Sequence, residues 1–202
     1  PTMKDRFIEL YQHFITRPGA DKLLSWLETT DFFEAPASTR FHLARPGGLV
    51  EHSIHVYHRL RDLYVSERQR AEDQAFIELL NGEEETIAIC GLLHDICKAN
   101  FYAVEMRNRK NEQGQWEKYP FYVVNDQLPY GHGEKSVYII SGFMKLAREE
   151  AMAIRWHMGF SDNDFKAGGF SVGNAFEKFP LALLTHMADL QATYMDEPRD
   201  DA

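Results

Sequence analysis

The chain has 202 residues, 44 % apolar and 26 % charged, enough to bury one sizeable core and too apolar for a disordered chain. Its formal charge of −9 disfavours a broad non-specific grip on nucleic acid, which needs clustered Lys and Arg, so no stable nucleic-acid complex is expected. No apolar run is long enough to span a bilayer, and the first residues lack the apolar stretch of a secretion signal. The only cysteines, Cys90 and Cys97, cannot build a disulfide framework and read as small core residues of a cytoplasmic protein.

Residues 3–15 space Phe7, Leu10, Tyr11 and Phe14 at helical intervals, and Pro18-Gly19 ends that helix. A short second helix is expected over 21–27. Residues 34–48, with two Pro and two Gly, read as a loop. A helix follows over 49–67, because Ile54, Tyr57, Leu60 and Tyr64 recur at three- and four-residue steps, with His52, His55, Arg59 and Asp62 on a neighbouring stripe. Helix continues over 71–80, and Asn81-Gly82 punctuates it. The segment ETIAICGLLHDICK is apolar almost all round, the pattern of a helix at the centre of a bundle.

FYAVEMRNRK and QWEKYPFYVV, rich in aromatic and β-branched residues and split by Asn-Glu-Gln-Gly, predict a hairpin over residues 101–124. Helical spacing returns over 134–146 and 149–156. Residues 159–173 read as a glycine-rich loop. A last helix is expected over 181–194, with Pro180 in its first turn, and residues 196–202 are expected to fray. The fold class is therefore all-α with a small β-hairpin insert: residues 1–45 form N-terminal helices packed on the core, 46–195 carry the chemistry, and the whole is one compact domain.

His94-Asp95 closes the apolar run 87–93, and Asp189 stands in the apolar segment PLALLTHMADL. A carboxylate among apolar neighbours is costly unless a cation or several donors compensate it. Two such carboxylates with histidines nearby suggest a shared cation. Nitrogen and oxygen donors together suit Zn, Mn, Fe, Ni or Co better than Ca.

The segments GGLVEHSIHV, GLLHDICK and HMADLQA resemble the three conserved blocks of the HD-domain metal-dependent phosphohydrolases, over roughly residues 46–194. The resemblance implies an HD-domain helical bundle and the metal ligands His52, His94, Asp95 and Asp189. GHGEKS and RWHMG place His132 and His157 where binuclear subgroups carry further histidines. Those subgroups include the HD-GYP cyclic-dinucleotide phosphodiesterases and the HD-type exoribonucleases. They usually show His-His-Gly, whereas Met158 follows His157 here, and the Gly-Tyr-Pro signature is absent. One or two divalent ions are thus implied, with Asp95 as the bridge between two.

Lys98 matches a lysine near the metal in HDxxK subgroups, where it would bind a phosphate oxygen; a helix-terminal lysine favoured by the dipole is the other reading. His42 is a candidate for the pocket rim. Arg107 and Arg109 on the hairpin could hold phosphate while Tyr102, Trp116 or Tyr122 stacks a base, or the hairpin is an amphipathic flap with solvated charges. His55 and His58 match no motif and read as surface or packing residues, and His186 is expected to support a ligand rather than be one. The resemblance implies hydrolysis of a phosphoester in a small nucleotide or short oligonucleotide by metal-activated water, with Asp95 and Lys98 catalytic. A di-iron oxygenase and a nucleotide-binding sensor without turnover remain open alternatives, as does oligomerisation.

Overall fold

The computed structural model describes residues 1–79 and 84–197. Helix α1 (Met3–Phe14) starts on a capping box: the Thr2 hydroxyl accepts from the Asp5 amide at 3.1 Å, and the Asp5 carboxylate accepts from the Thr2 amide at 2.8 Å. It buries Phe7 and Tyr11, and the Tyr11 hydroxyl donates to the Ala20 carbonyl where α2 (Ala20–Thr29) begins. Helix α3 (Gly48–Arg70) carries His52 and follows Gly47 in a left-handed conformation. Helices α4 (Gln74–Leu79) and α5 (Glu84–Leu93) follow. The end of the helix expected over 71–80, with Asn81-Gly82, lies outside the described residues.

Every residue of α5 from Ile87 to Leu93 is buried, as its all-round apolar pattern predicts for a central helix. It crosses α3 closely: a Cβ at Gly91 would stand 2.5 Å from the Tyr57 Cα, so only glycine lets the two backbones meet there. The helix stops at Leu93. His94 and Asp95 lie in the turn beyond it, and Ile96–Lys98 form a single 3₁₀ turn. Asn100 then takes a left-handed conformation and exchanges hydrogen bonds with Asp31, turning the chain into strand β1 (Tyr102–Lys110).

Strand β2 (Trp116–Val124) pairs antiparallel with β1, from Tyr102 opposite Val124 to Lys110 opposite Trp116. Helices α6 (Gly133–Ser141) and α7 (Arg148–Arg155) return to the bundle. The stretch 159–173 is not one loop. A 3₁₀ turn (Gly159–Ser161) leads to α8 (Asn163–Lys166), capped by Asp162, and α9 (Ser171–Lys178) begins inside it and buries Val172 and Ala175. Glycines 159 and 168, both at positive φ, separate these pieces, so the glycines mark turns between short helices.

Helix α10 (Pro180–Gln191) packs on α3 and α7 and runs into a π-helical turn, Ala192–Asp196. The expected fraying at 196 does not occur. Asp196 pairs with Arg59 on α3 at 2.6 and 2.9 Å, and Glu197 is buried; residues 198–202 lie outside the described residues. Among the described residues no helix is long and apolar enough to cross a membrane. Phe7, Leu23, Leu27 and Phe32 of the N-terminal segment share one apolar cluster with Leu49, Leu60, Ile89 and Leu92.

Arg17 ties α2's approach to that bundle through two carboxylates, Glu85 on α5 at 2.9 Å and Glu150 on α7. Glu150, fully buried, accepts from Arg17 Nη1 and Nη2 at 2.6 and 2.8 Å, from the Thr86 hydroxyl and from the Ala147 amide. Arg17→Ala strands that carboxylate and is expected to cost about 3–5 kcal/mol. In a thermal melt that is a drop of roughly 10 °C for a chain of this size. Arg61→Ala, which breaks the exposed pair with Glu84, should shift the melt by far less. Equal melts for the two variants would refute a structural role for the Arg17–Glu150 pair.

Candidate metal centre

Three helix ends and one helix interior supply the imidazoles. His94 lies just past α5, and its Nδ1–H donates to the Gly91 carbonyl at 2.9 Å. His157 lies just past α7, and its Nδ1–H donates to the Ile154 carbonyl at 2.7 Å. Both carbonyls belong to the last helical turn, which has no further helical amide to bind. A carbonyl only accepts, so each ring carries a proton on Nδ1 and turns Nε2 inward. His52, within α3, has Nδ1 at 2.9 Å from a Glu197 oxygen, which leaves Nε2 directed to the same centre. His132 caps α6; its Nδ1 is 3.4 Å from the Cys97 sulfur and its Nε2 2.9 Å from Asp95.

Asp95 stands among them with one oxygen toward each side. Its Oδ2 lies 3.5 Å from His94 Nε2 and 3.7 Å from His52 Nε2, and His52 Nε2 lies 3.0 Å from Asp189 Oδ1 and 3.3 Å from His94 Nε2. Its Oδ1 lies 2.9 Å from His132 Nε2 and 3.2 Å from His157 Nε2, with 3.0 Å between those two nitrogens. Donors held at about 2.1 Å from a common ion stand roughly 3.0–3.4 Å apart in octahedral or tetrahedral geometry. The observed spacings fall in or near that range. Lone pairs facing one another at 3 Å repel unless a positive charge lies between them, so the donor set fits a divalent cation.

The electrostatics agree. Burial would raise the Asp95 pKa, but Lys98, His94, His132 and His157 hold it well below the usual carboxylate range. Burial acts the same way on Asp189, and His52 outweighs it. Burial keeps His94 neutral, with its pKa lowered to about 4. Burial also opposes charge on His52, yet Asp189 and Glu197 raise its pKa to about 10; on His132 burial is outweighed by Cys97 and Asp95, again to about 10. In the metal-free protein those two protons stand in for a cation.

Lys98 donates to Asp95 Oδ2 and to the Ala37 carbonyl, each at 2.8 Å, and so faces the centre instead of merely ending a helix. Burial would lower its pKa, but Asp95 raises it and Lys98 stays charged. A cleft of about 560 Å³ opens above, lined by His42, His52, Asp95, Lys98, His132 and Asp189 among others. His42 lies with its ring centroid 4.9 Å from that of His52, and its buried Nε2 has no hydrogen-bond partner among the described residues. Burial, with His52 and Lys98 nearby, lowers its pKa to about 4.

His186 donates from Nδ1 to the His157 carbonyl at 2.7 Å, supporting the position of His157. Its ring fills the space where a Cβ on Gly159 would sit, so residue 159 must be glycine. Met158 lines the cleft. Arg107 and Arg109 do not line it: Arg107 lies over the Phe121 ring, and Arg109 over Tyr119 and against Glu117. Cross-strand partners on the hairpin take up both guanidinium groups. His55, read as a surface or packing residue, bonds Glu197 at 2.6 Å, whereas His58 packs beside Tyr57.

Among the described residues, Glu197 and Ser136 at the centre escaped the sequence reading, and Cys97, read as a small core residue, lies against His132. Glu197 is 145 residues from His52 in the chain and belongs to no motif or periodic pattern. Ser136 donates to the His94 carbonyl at 2.8 Å and accepts from the Cys97 amide. It stands one turn after His132 in GHGEKS, so its place in that block was an available signal.

No curated protein and no solved structure matches the chain. The model of the HD domain family matches residues 49–196, most of the chain and all six of His52, His94, Asp95, His132, His157 and Asp189. The chain belongs to the HD domain family.

Proposed function

We propose that this protein is a metal-dependent phosphohydrolase whose ligands are His52, His94, Asp95 and Asp189, with His132 and His157 forming a second position across the Asp95 bridge. The observation that carries this is the convergence of imidazole Nε2 atoms on both oxygens of Asp95. A divalent cation there supplies Lewis acidity toward a phosphoryl oxygen and toward water. The chain's own residues do the rest. Asp95 stays ionised and divides its two oxygens between the two donor sets. Lys98 keeps an ammonium at the cleft wall, where it can neutralise a phosphoryl oxygen as a point charge. His42, neutral and with an Nε2 that makes no hydrogen bond among the described residues and lies 3.9 Å from Glu197, is a hydrogen-bonding group for the same anion.

With cations bound, the centre is net positive even after its carboxylates are counted, because Lys98 adds to it, and it attracts an anion. The cleft also has an apolar side. Phe41 and Tyr194 line it and are 50 % and 72 % exposed, enough ring surface for a base to stack. We therefore favour a small nucleotide or short oligonucleotide as substrate, in the cytoplasm, where buried free cysteines such as Cys90 and Cys97 remain reduced. The hairpin arginines are secondary candidates for reaching a longer substrate.

The test is a screen of phosphomonoesters, cyclic dinucleotides and short RNA with Mn, Ni and Co. Metal-dependent release of phosphate or nucleotide is expected from at least one class. Tight retention of an unhydrolysed nucleotide would identify a sensor instead, and iron-dependent O₂ consumption an oxygenase.

A further inference from the structure

We infer that Glu197 is a positioning residue for the metal centre, holding His52 so that its Nε2 faces Asp95, His94 and Asp189. The inference rests on the metal-dependent reading above and extends it to a residue one position beyond the span matched to the family.

The need for such a residue follows from where His52 sits. His94 and His157 lie at helix ends, where unused carbonyls receive their Nδ1–H groups. His52 lies inside α3, where backbone carbonyls are already engaged by amides four residues on. Its Nδ1–H must find an acceptor from elsewhere in the fold. Glu197 supplies it, with carboxylate oxygens at 2.9 and 3.1 Å. A carboxylate only accepts, so this bond settles which nitrogen of His52 bears the proton and also makes Nε2 a stronger donor to a cation.

Glu197 is built for this position. Its side chain is fully buried, and its second oxygen accepts from His55 Nδ1 at 2.6 Å. His52, His55 and Arg59 form one stripe of α3, and the end of the chain docks along it: Glu197 on the two histidines, Asp196 on Arg59. The same chain end follows α10, which carries Asp189, so a single stretch of backbone grips both nitrogens of the His52 ring. His42 Nε2 lies 3.9 Å from the same carboxylate, and a buried carboxylate facing three histidines is expensive to keep for packing alone.

The experiment titrates full-length wild type, Glu197→Ala and Glu197→Gln with Co²⁺ against a competing chelator, reading the cobalt absorption band. Glu197→Ala is expected to bind cobalt 10–100-fold more weakly, with an altered band, while keeping the helical circular dichroism of the metal-free protein. Glu197→Gln retains an oxygen that accepts from Nδ1–H but loses the charge, so it is expected to fall between Ala and wild type. Arg59→Ala loosens the exposed anchor alone and should bind like wild type. Wild-type affinity and spectrum in both Glu197 variants overturn the inference; if the Ala variant does not fold, unchanged affinity in the Gln variant overturns it. Failure of the wild type itself to take up cobalt overturns the metal-dependent reading, and this inference with it.

Discussion

Replacing Asp95 with Asn is expected to abolish stable metal binding and to lower kcat/KM for any phosphoester substrate by roughly 10³-fold, the scale of losing a main electrostatic group in a site. Among the described residues, Asp95 is the side chain whose oxygens face both donor sets, Oδ2 toward His52 and His94 and Oδ1 toward His132 and His157. Asn keeps the shape, so the helical bundle should remain, whereas Ala would also leave Lys98 facing a void. The amide loses the charge that a cation needs and turns an NH₂ group toward one of the two sets. Metal content per folded chain, measured after dialysis at fixed free metal, checks this directly. Full occupancy in Asp95→Asn would sink the assignment. The wild type should show a matching pH effect. His52 and His132, with pKa values raised to about 10, hold protons at neutral pH that a cation must displace, so affinity should rise with pH and binding should release protons. In the metal-free protein the sign is opposite: the stability these raised values confer is complete below about pH 6.5 and is lost as pH climbs toward 10.

Replacing His157 is expected to remove one cation and spare the other. His157 Nε2 contacts Asp95 Oδ1 and His132 Nε2, and its ring meets that of His94 edge-on at 4.9 Å, whereas His52 and Asp189 pair with each other on the far side of Asp95. The set around His132 and His157 is expected to be the weaker one, because Met158, next to His157 at the cleft, supplies no imidazole. His157→Ala should therefore fall from two metals per chain to one, with turnover reduced roughly 10²–10³-fold. His157 is fully buried, so His157→Gln serves as the variant that fills the space. Two metals per chain with normal turnover would mean that His157 is a packing residue. A wild type that never exceeds one metal per chain at saturation would make the centre mononuclear, with His132 and His157 left to contact phosphate.

How legible the protein is from its sequence differs element by element. The central helix and the hairpin follow from local pattern, since an all-round apolar run can be stable only inside a bundle, and alternating aromatic strands around Asn-Glu-Gln-Gly close on themselves. The stretch 159–173 misled because glycine marks a turn without saying what lies between turns. There α8 is a single turn, and α9 is held by burying Val172 and Ala175. The chain end misled for the opposite reason: a short polar tail looks solvated until its partners on α3 are in place.

What the sequence by itself determined is the set of groups able to hold a cation. Asp95 and Asp189 stand out because a carboxylate beside apolar residues needs a compensating charge, whatever the fold, whereas His52, His94, His132 and His157 are picked out as ligand candidates by the resemblance to the HD-domain blocks. Only the tertiary structure decided how those groups point. The ring orientations depend on the Gly91 and Ile154 carbonyls and on Glu197, and the two faces of Asp95 depend on how the ends of α5 and α7 meet the start of α6. The tertiary structure also took Arg107 and Arg109 away from the cleft and brought in Glu197, 145 residues along the chain from the histidine it holds. A hydrogen bond is set by a few tenths of an ångström and by direction, and these are properties of packed helices that no local pattern carries.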